Sequence, residues 1–133
     1  MFARVDHIGV AVEDLDAAIA LHEEAYGMAV AHREVVEEQG VEAVLLDVGE
    51  NHVELLRPLD SETPVGRFLS KRGPGLHHLC FEVEGLERTL AALQAAGVRL
   101  IDAAPRQGAH GRRIAFVHPE SCGGVLIELS ERG

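Results

Sequence analysis

The chain has 133 residues, 47% of them hydrophobic, and a formal net charge of −10. That length fits one domain with its own core, and the negative balance excludes functions that rest on nonspecific attraction to nucleic acid or to an anionic membrane surface. No apolar run approaches the roughly 18 residues needed to span a bilayer, and no basic segment leads into an apolar signal core, so a cytoplasmic protein is expected. Cys80 and Cys122 make a weak disulfide framework and are expected as reduced thiols.

Residues 5–12 alternate, with His7, Gly9 and Ala11 on one side and Ile8, Val10 and Val12 on the other, which predicts a strand with one apolar face. Asp14 is a fitting N-cap for a helix that carries Leu15, Ala18, Ile19 and Leu21 at helical spacing and ends near Gly27. Strands are predicted at 29–35, 41–48 and 52–56, the last two joined by a turn at Gly49-Glu50-Asn51. Residues 60–74 read as a connector, with a short helix over 65–72 led by Pro64. The order then repeats: strand 76–83, helix 86–96 ending at Gly97, and strands at 98–103, 113–117 and 124–129, with loops at 105–111 and 119–124. We therefore expect an α+β fold of two tandem β-α-β-β-β modules, about 1–59 and 75–133. They share one domain, 1–133, because neither small sheet is as stable alone as with the other.

The repetition extends to chemistry. D-H-I-G-V-A-V-E-D-L-D from Asp6 returns as H-H-L-C-F-E-V-E-G-L-E from His77, so His7 falls on His78. Later, Val53-Glu54-Leu55 is echoed by Ile127-Glu128-Leu129. Side chains two apart on a strand share a face, so each histidine and each glutamate projects away from its apolar neighbours. If a pseudo-twofold relates the halves, two imidazoles and two carboxylates meet in one cleft. That donor set suits a borderline divalent cation, with two octahedral positions left for water or substrate oxygens. The alternative is that duplicated strands keep similar residues because they pack similarly, with Glu54 and Glu128 facing solvent. His22, His32, His52, His77, His110 and His118 lack this duplication and are expected in surface or supporting roles, and nothing marks Cys80 as an activated thiolate.

These motifs, together with E-E-Q-G-V from Glu37, V-E-L-L-R-P from Val53, G-L-H-H-L from Gly75 and the stretch from G-A-H-G through F-V-H-P to G-G-V-L-I-E-L, resemble the vicinal-oxygen-chelate (glyoxalase/bleomycin resistance/dioxygenase) superfamily. Within it the chain is similar to the methylmalonyl-CoA epimerase family over nearly its whole length. The resemblance implies a curved mixed sheet around a metal site, with His7, Glu54, His78 and Glu128 as ligands of a Co, Mn, Ni or Zn ion. It also implies an acyl-CoA substrate inverted through an enolate. An exposed sheet face or edge makes a homodimer the expected assembly. Some members of the family carry a glutamate at the position of Ala43; the adjacent Glu42 is turned to the opposite face of a strand, so Glu128 and Glu54 are expected as the acid/base pair. Lys71, Arg72, Arg106, Arg112 and Arg113 are the cations available to an anionic CoA. The competing expectations are a glyoxalase I-like lactoylglutathione lyase, which shares the duplication and the donor set, and a metal-free small-molecule-binding module of the same fold.

Overall fold

A computed structural model describes residues 1–132, in two compact units. The first spans His7–His77, and the second joins Met1–Asp6 to residues 78–132. The boundaries fall inside strands rather than at the connector, so β1 (Phe2–Ala11) and β5 (Gly75–Val83) each pass from one unit to the other. Among the described residues no helix is long and apolar enough to cross a membrane.

In the first unit the end of β1 runs parallel to β4 (Asn51–Pro58), which pairs antiparallel with β3 (Val41–Val48), and β3 pairs antiparallel with β2 (Ala29–Val36). Asp14 caps α1 (Leu15–Ala20) by accepting from the Ala17 amide at 3.0 Å. The predicted continuation to Gly27 is a wide π turn over Leu21–Ala25. Leu15 drops from α1 onto Val44, Leu46 and Leu55, with Val10, Val12, Ile19 and Val53 around them. This cluster defines a helix-side face of the sheet. The residues between, Ala43, Leu45 and Glu54 among them, belong to the other face by strand parity. Ile8 departs from the sequence expectation: it is 40% exposed, whereas Val10 and Val12 pack as expected. The connector belongs to this unit, its α2 (Pro64–Arg72) capped by Thr63 and its Gly66 lying so near the Asp60 carbonyl that a Cβ would collide with it.

In the second unit β5 is parallel to β8 (Leu126–Glu131), β8 is antiparallel to β7 (Arg113–Val117), and β7 is antiparallel to a two-residue β6 (Arg106–Gln107). Leu86 and Leu90 of α3 (Leu86–Ala95) pack on Val83, Ala115, Val117 and Leu129. The pairing is mixed, as expected of the fold. The predicted strand over 98–103 is replaced by a single bridge between Leu100 and Val117. Its backbone donors are diverted: the amides of Ile101 and Asp102 share the Phe116 carbonyl, and that of Arg99 goes to the Ser121 hydroxyl. Asp102 accepts from the Phe116 amide through its side chain, which occupies the place of a ladder bond. With the ladder consumed in this way, a regular strand waits until after Pro105. The last strand begins at Leu126 rather than 124 because Gly123 and Gly124 both hold left-handed backbone, at φ 66° and 89°.

Candidate metal and acid/base site

The first unit buries His7 and Glu54 together, with Nε2 of one 3.4 Å from Oε1 of the other. The second unit buries His78 and Glu128 together, 3.0 Å apart through the same two atoms. Parallel register produces both pairs in the same way. Gly9 lies opposite Glu54 and Cys80 opposite Glu128, so in each unit the histidine stands two residues before the position facing its glutamate. Two residues is one full pleat, which returns the imidazole to the carboxylate's face. The repeat read from the letters is thus a repeat of geometry.

A buried carboxylate needs a charged or hydrogen-bonding partner, and the imidazole supplies one. The same atoms are nitrogen and oxygen donors of the kind that suit a divalent transition ion, so each pair fits half of a metal shell. The alternative, in which Glu54 and Glu128 face solvent, is not met: both are buried. In the second unit Phe116, opposite Glu128 on β7, also sets its ring edge-on to His78 at a centroid distance of 6.3 Å, which restricts the imidazole's orientation.

Glu42 lies on the helix-side face, where it bridges Arg33 at 2.8 Å and Arg57 at 3.0 Å. Hydrogen bonds from Arg33 and then Arg57 hold its carboxyl below the usual carboxylate range. A group whose carboxyl is depressed on folding adds stability that is present above its unfolded value and disappears as pH falls through the folded one. Glu42→Gln is therefore expected to lower Tm by a few degrees at pH 7, with the difference from wild type shrinking below the usual carboxylate range and vanishing once pH has fallen through the depressed folded value. A pH-independent difference in melting scans would contradict the assignment.

Four of the five cations named for CoA have partners of their own. Arg113 binds Glu131 and Glu87, and its hydrogen bonds push the Glu131 carboxyl down. Arg112 lies 3.5 Å from Asp6 and 3.7 Å from Glu82, two buried acids that Arg4 also bridges. Arg106 sits over the Phe116 ring at 5.4 Å, and Arg72 over Phe68 at 5.7 Å. Lys71 lies in the last turn of α2.

The remaining histidines have local tasks. The ring nitrogen of His118 accepts from the Glu120 amide, His52 pairs with Asp47, His77 packs edge-on to Phe68, and His22 lies 2.7 Å from the Ala18 carbonyl. His110 adopts left-handed backbone, at φ 62°. Cys80 is fully buried, and burial pushes the Cys122 thiol up, against a reactive role for it. One constellation went unread in the sequence: His32 Nε2 lies 3.1 Å from Glu34 Oε1 on β2. Their i, i+2 spacing was a signal, obscured because a bulge between Val30 and His32 changes which face the strand's later residues occupy.

The chain belongs to the Glyoxalase/Bleomycin resistance protein/Dioxygenase superfamily, whose family model matches residues 6–116. Within that class it is 35% identical to the ethylmalonyl-CoA/methylmalonyl-CoA epimerase of Cereibacter sphaeroides, over 98% of this chain and 99% of that one. The crystal structure of methylmalonyl-CoA epimerase from Mycobacterium tuberculosis is similar at a TM-score of 0.95 and 40% identity, covering 99% of this chain and 89% of that one. A methylmalonyl-CoA epimerase solved in complex with methylmalonyl-CoA and NH4+ matches at a TM-score of 0.96 and 39% identity, over 100% and 96% of the two chains.

Proposed function

We propose that this protein is an isomerase that epimerises methylmalonyl-CoA at the carbon between the thioester and the carboxylate. The observation that carries the proposal is the buried histidine–glutamate pair, built twice in one register. His7, Glu54, His78 and Glu128 together would hold one divalent cation, with Co, Mn, Ni and Zn as the ions such donors accept. When bound, the cation supplies Lewis-acid stabilisation to negative charge on the thioester oxygen.

The chain's own residues then have two duties. His7 and His78 would offer imidazole nitrogens to the cation, and Phe116 limits how the His78 ring turns. Inversion requires a proton to leave one face of the α-carbon and another to arrive on the opposite face. Using only the duplicated residues, Glu128 serves one face and Glu54 the other. Burial of both carboxylates keeps bulk water from competing for the carbanionic carbon. We also take the protein as cytoplasmic and homodimeric, the latter because Ile8 and Leu76, 40% and 72% exposed, leave apolar surface in the first unit.

The deciding experiment follows solvent deuterium into the α-carbon. Protein stripped of metal and then given Co, Mn, Ni or Zn ions is expected to label both epimers of methylmalonyl-CoA and to interconvert them. Absence of label with all four ions would overturn the proposal.

A further inference from the structure

We propose that Glu34, hydrogen-bonded to His32, is the acid/base for one face of the substrate and takes that duty from Glu54. The inference rests on the epimerase reading above. Its first support is cross-strand register. In antiparallel pairs, directly opposite residues share a face, with Cβ atoms about 5 Å apart. Leu45 lies opposite both Glu54 and His32, and Ala43 lies opposite Glu34. His32 and Glu34 therefore occupy the same face of the first unit as Glu54, with His32 in Glu54's own row two strand spacings away, about 10 Å. Arg33, between them, confirms the parity: it reaches the opposite face, where it binds Glu42 and Asp16.

The second support is space. Ala43 is the smallest side chain that a strand position other than glycine can offer, and it stands directly across from Glu34. A methyl there is buried and obstructs the neighbouring Glu34 carboxylate least. The third support is chemical. Glu54 is buried against His7, so on this unit's face it is Glu34 that meets water directly. Glu34 keeps about a third of its side chain in water, 30%, and His32, 45% exposed, orients it at 3.1 Å. A base oriented by a second polar group, with a path to solvent, is the arrangement that proton transfer needs.

The step balances as follows. The Glu34 carboxylate takes the α-proton; the C–H electron pair becomes the carbon–carbon π bond of the enolate, and the thioester π pair moves onto oxygen. Those pairs return as Glu128 gives its proton to the opposite face of the carbon. Glu34 then releases its proton to water and Glu128 takes one back, so turnover consumes nothing.

The test compares wild type, Glu34→Gln and Glu34→Asp with each epimer separately in deuterated solvent. Glu34→Gln is expected to keep its metal content and to lose α-proton exchange from one epimer by at least about 100-fold. The other epimer is expected to go on exchanging without inverting. Glu34→Asp, which restores a carboxylate, is expected to recover inversion to within about 10-fold of wild type. Full two-way inversion in Glu34→Gln, equal loss from both epimers, or the one-sided loss appearing in Glu54→Gln instead would overturn the inference. Failure of the epimerase reading looks different, because wild type then labels neither epimer.

Discussion

Glu128→Gln is expected to reduce turnover of methylmalonyl-CoA by about 10³-fold or more and to leave the protein with little bound metal. Glutamine has nearly the volume of glutamate and still offers an oxygen to His78, which lies 3.0 Å from Glu128 Oε1, so the fold has no reason to collapse. What the substitution removes is a buried carboxyl group that bears a negative charge when ionised and an exchangeable proton when neutral. Loss of the first weakens a divalent cation's hold, and loss of the second ends proton transfer on one face. The two losses can be read apart. Metal emission measured on the purified variant reports the charge, while exchange of α-deuterium at saturating metal reports the proton. A variant with one equivalent of metal and wild-type turnover would remove Glu128 from both roles.

Leu55→Ala is expected to cost about 2–5 kcal/mol of stability and to lower Tm by roughly 10 °C or more. Leu55 is fully buried against Leu15, Val44 and Leu46, so truncation leaves a cavity that the α1 contact and two strands must share. It also follows Glu54 in β4, and loosening it will disturb the carboxylate's face of the sheet. Urea unfolding should show a lower midpoint with an unchanged slope. Val35→Ala, at a half-exposed position, is the matched control and is expected to stay within about 0.5 kcal/mol of wild type. A loss below about 1 kcal/mol at Leu55 would mean that the α1 cluster is not the core of that unit.

Much of this arrangement was legible in the letters because strand parity and duplication test each other. Glu54 and Glu128 each sit between apolar neighbours, and His7 and His78 each precede one, Ile8 and Leu79. A shared alternation can therefore be checked twice, and both pairs form. Helix starts were legible where a polar side chain caps them, as Asp14 and Thr63 do. What escaped reading depended on where backbone donors go. Residues 98–103 have the composition of a strand, but Asp102 takes the Phe116 amide, and Ile101 and Asp102 both spend their amides on one carbonyl. The bulge before His32 is equally silent in composition, since an extra residue in a strand changes faces without changing the letters. Placing Ile8 with Val10 and Val12 failed because alternation assigns a face but not what covers it.

The passage of β1 from one unit to the other has a consequence for how the polypeptide matures on the ribosome. His7–His77 is continuous in sequence and has its strands, α1 and α2 available as soon as His77 has emerged. The other unit must wait, because its first strand segment, Met1–Asp6, is translated before everything it pairs with, including the Glu84 amide that donates to the Met1 carbonyl. Until the later residues arrive, Phe2 lacks its Phe81 partner, and Asp6 lacks the Arg112 that lies beside it in the finished protein. Synthesis thus imposes an order, with the contiguous unit first and the closing of a long loop last, and the amino-terminal strand is the part exposed during the interval.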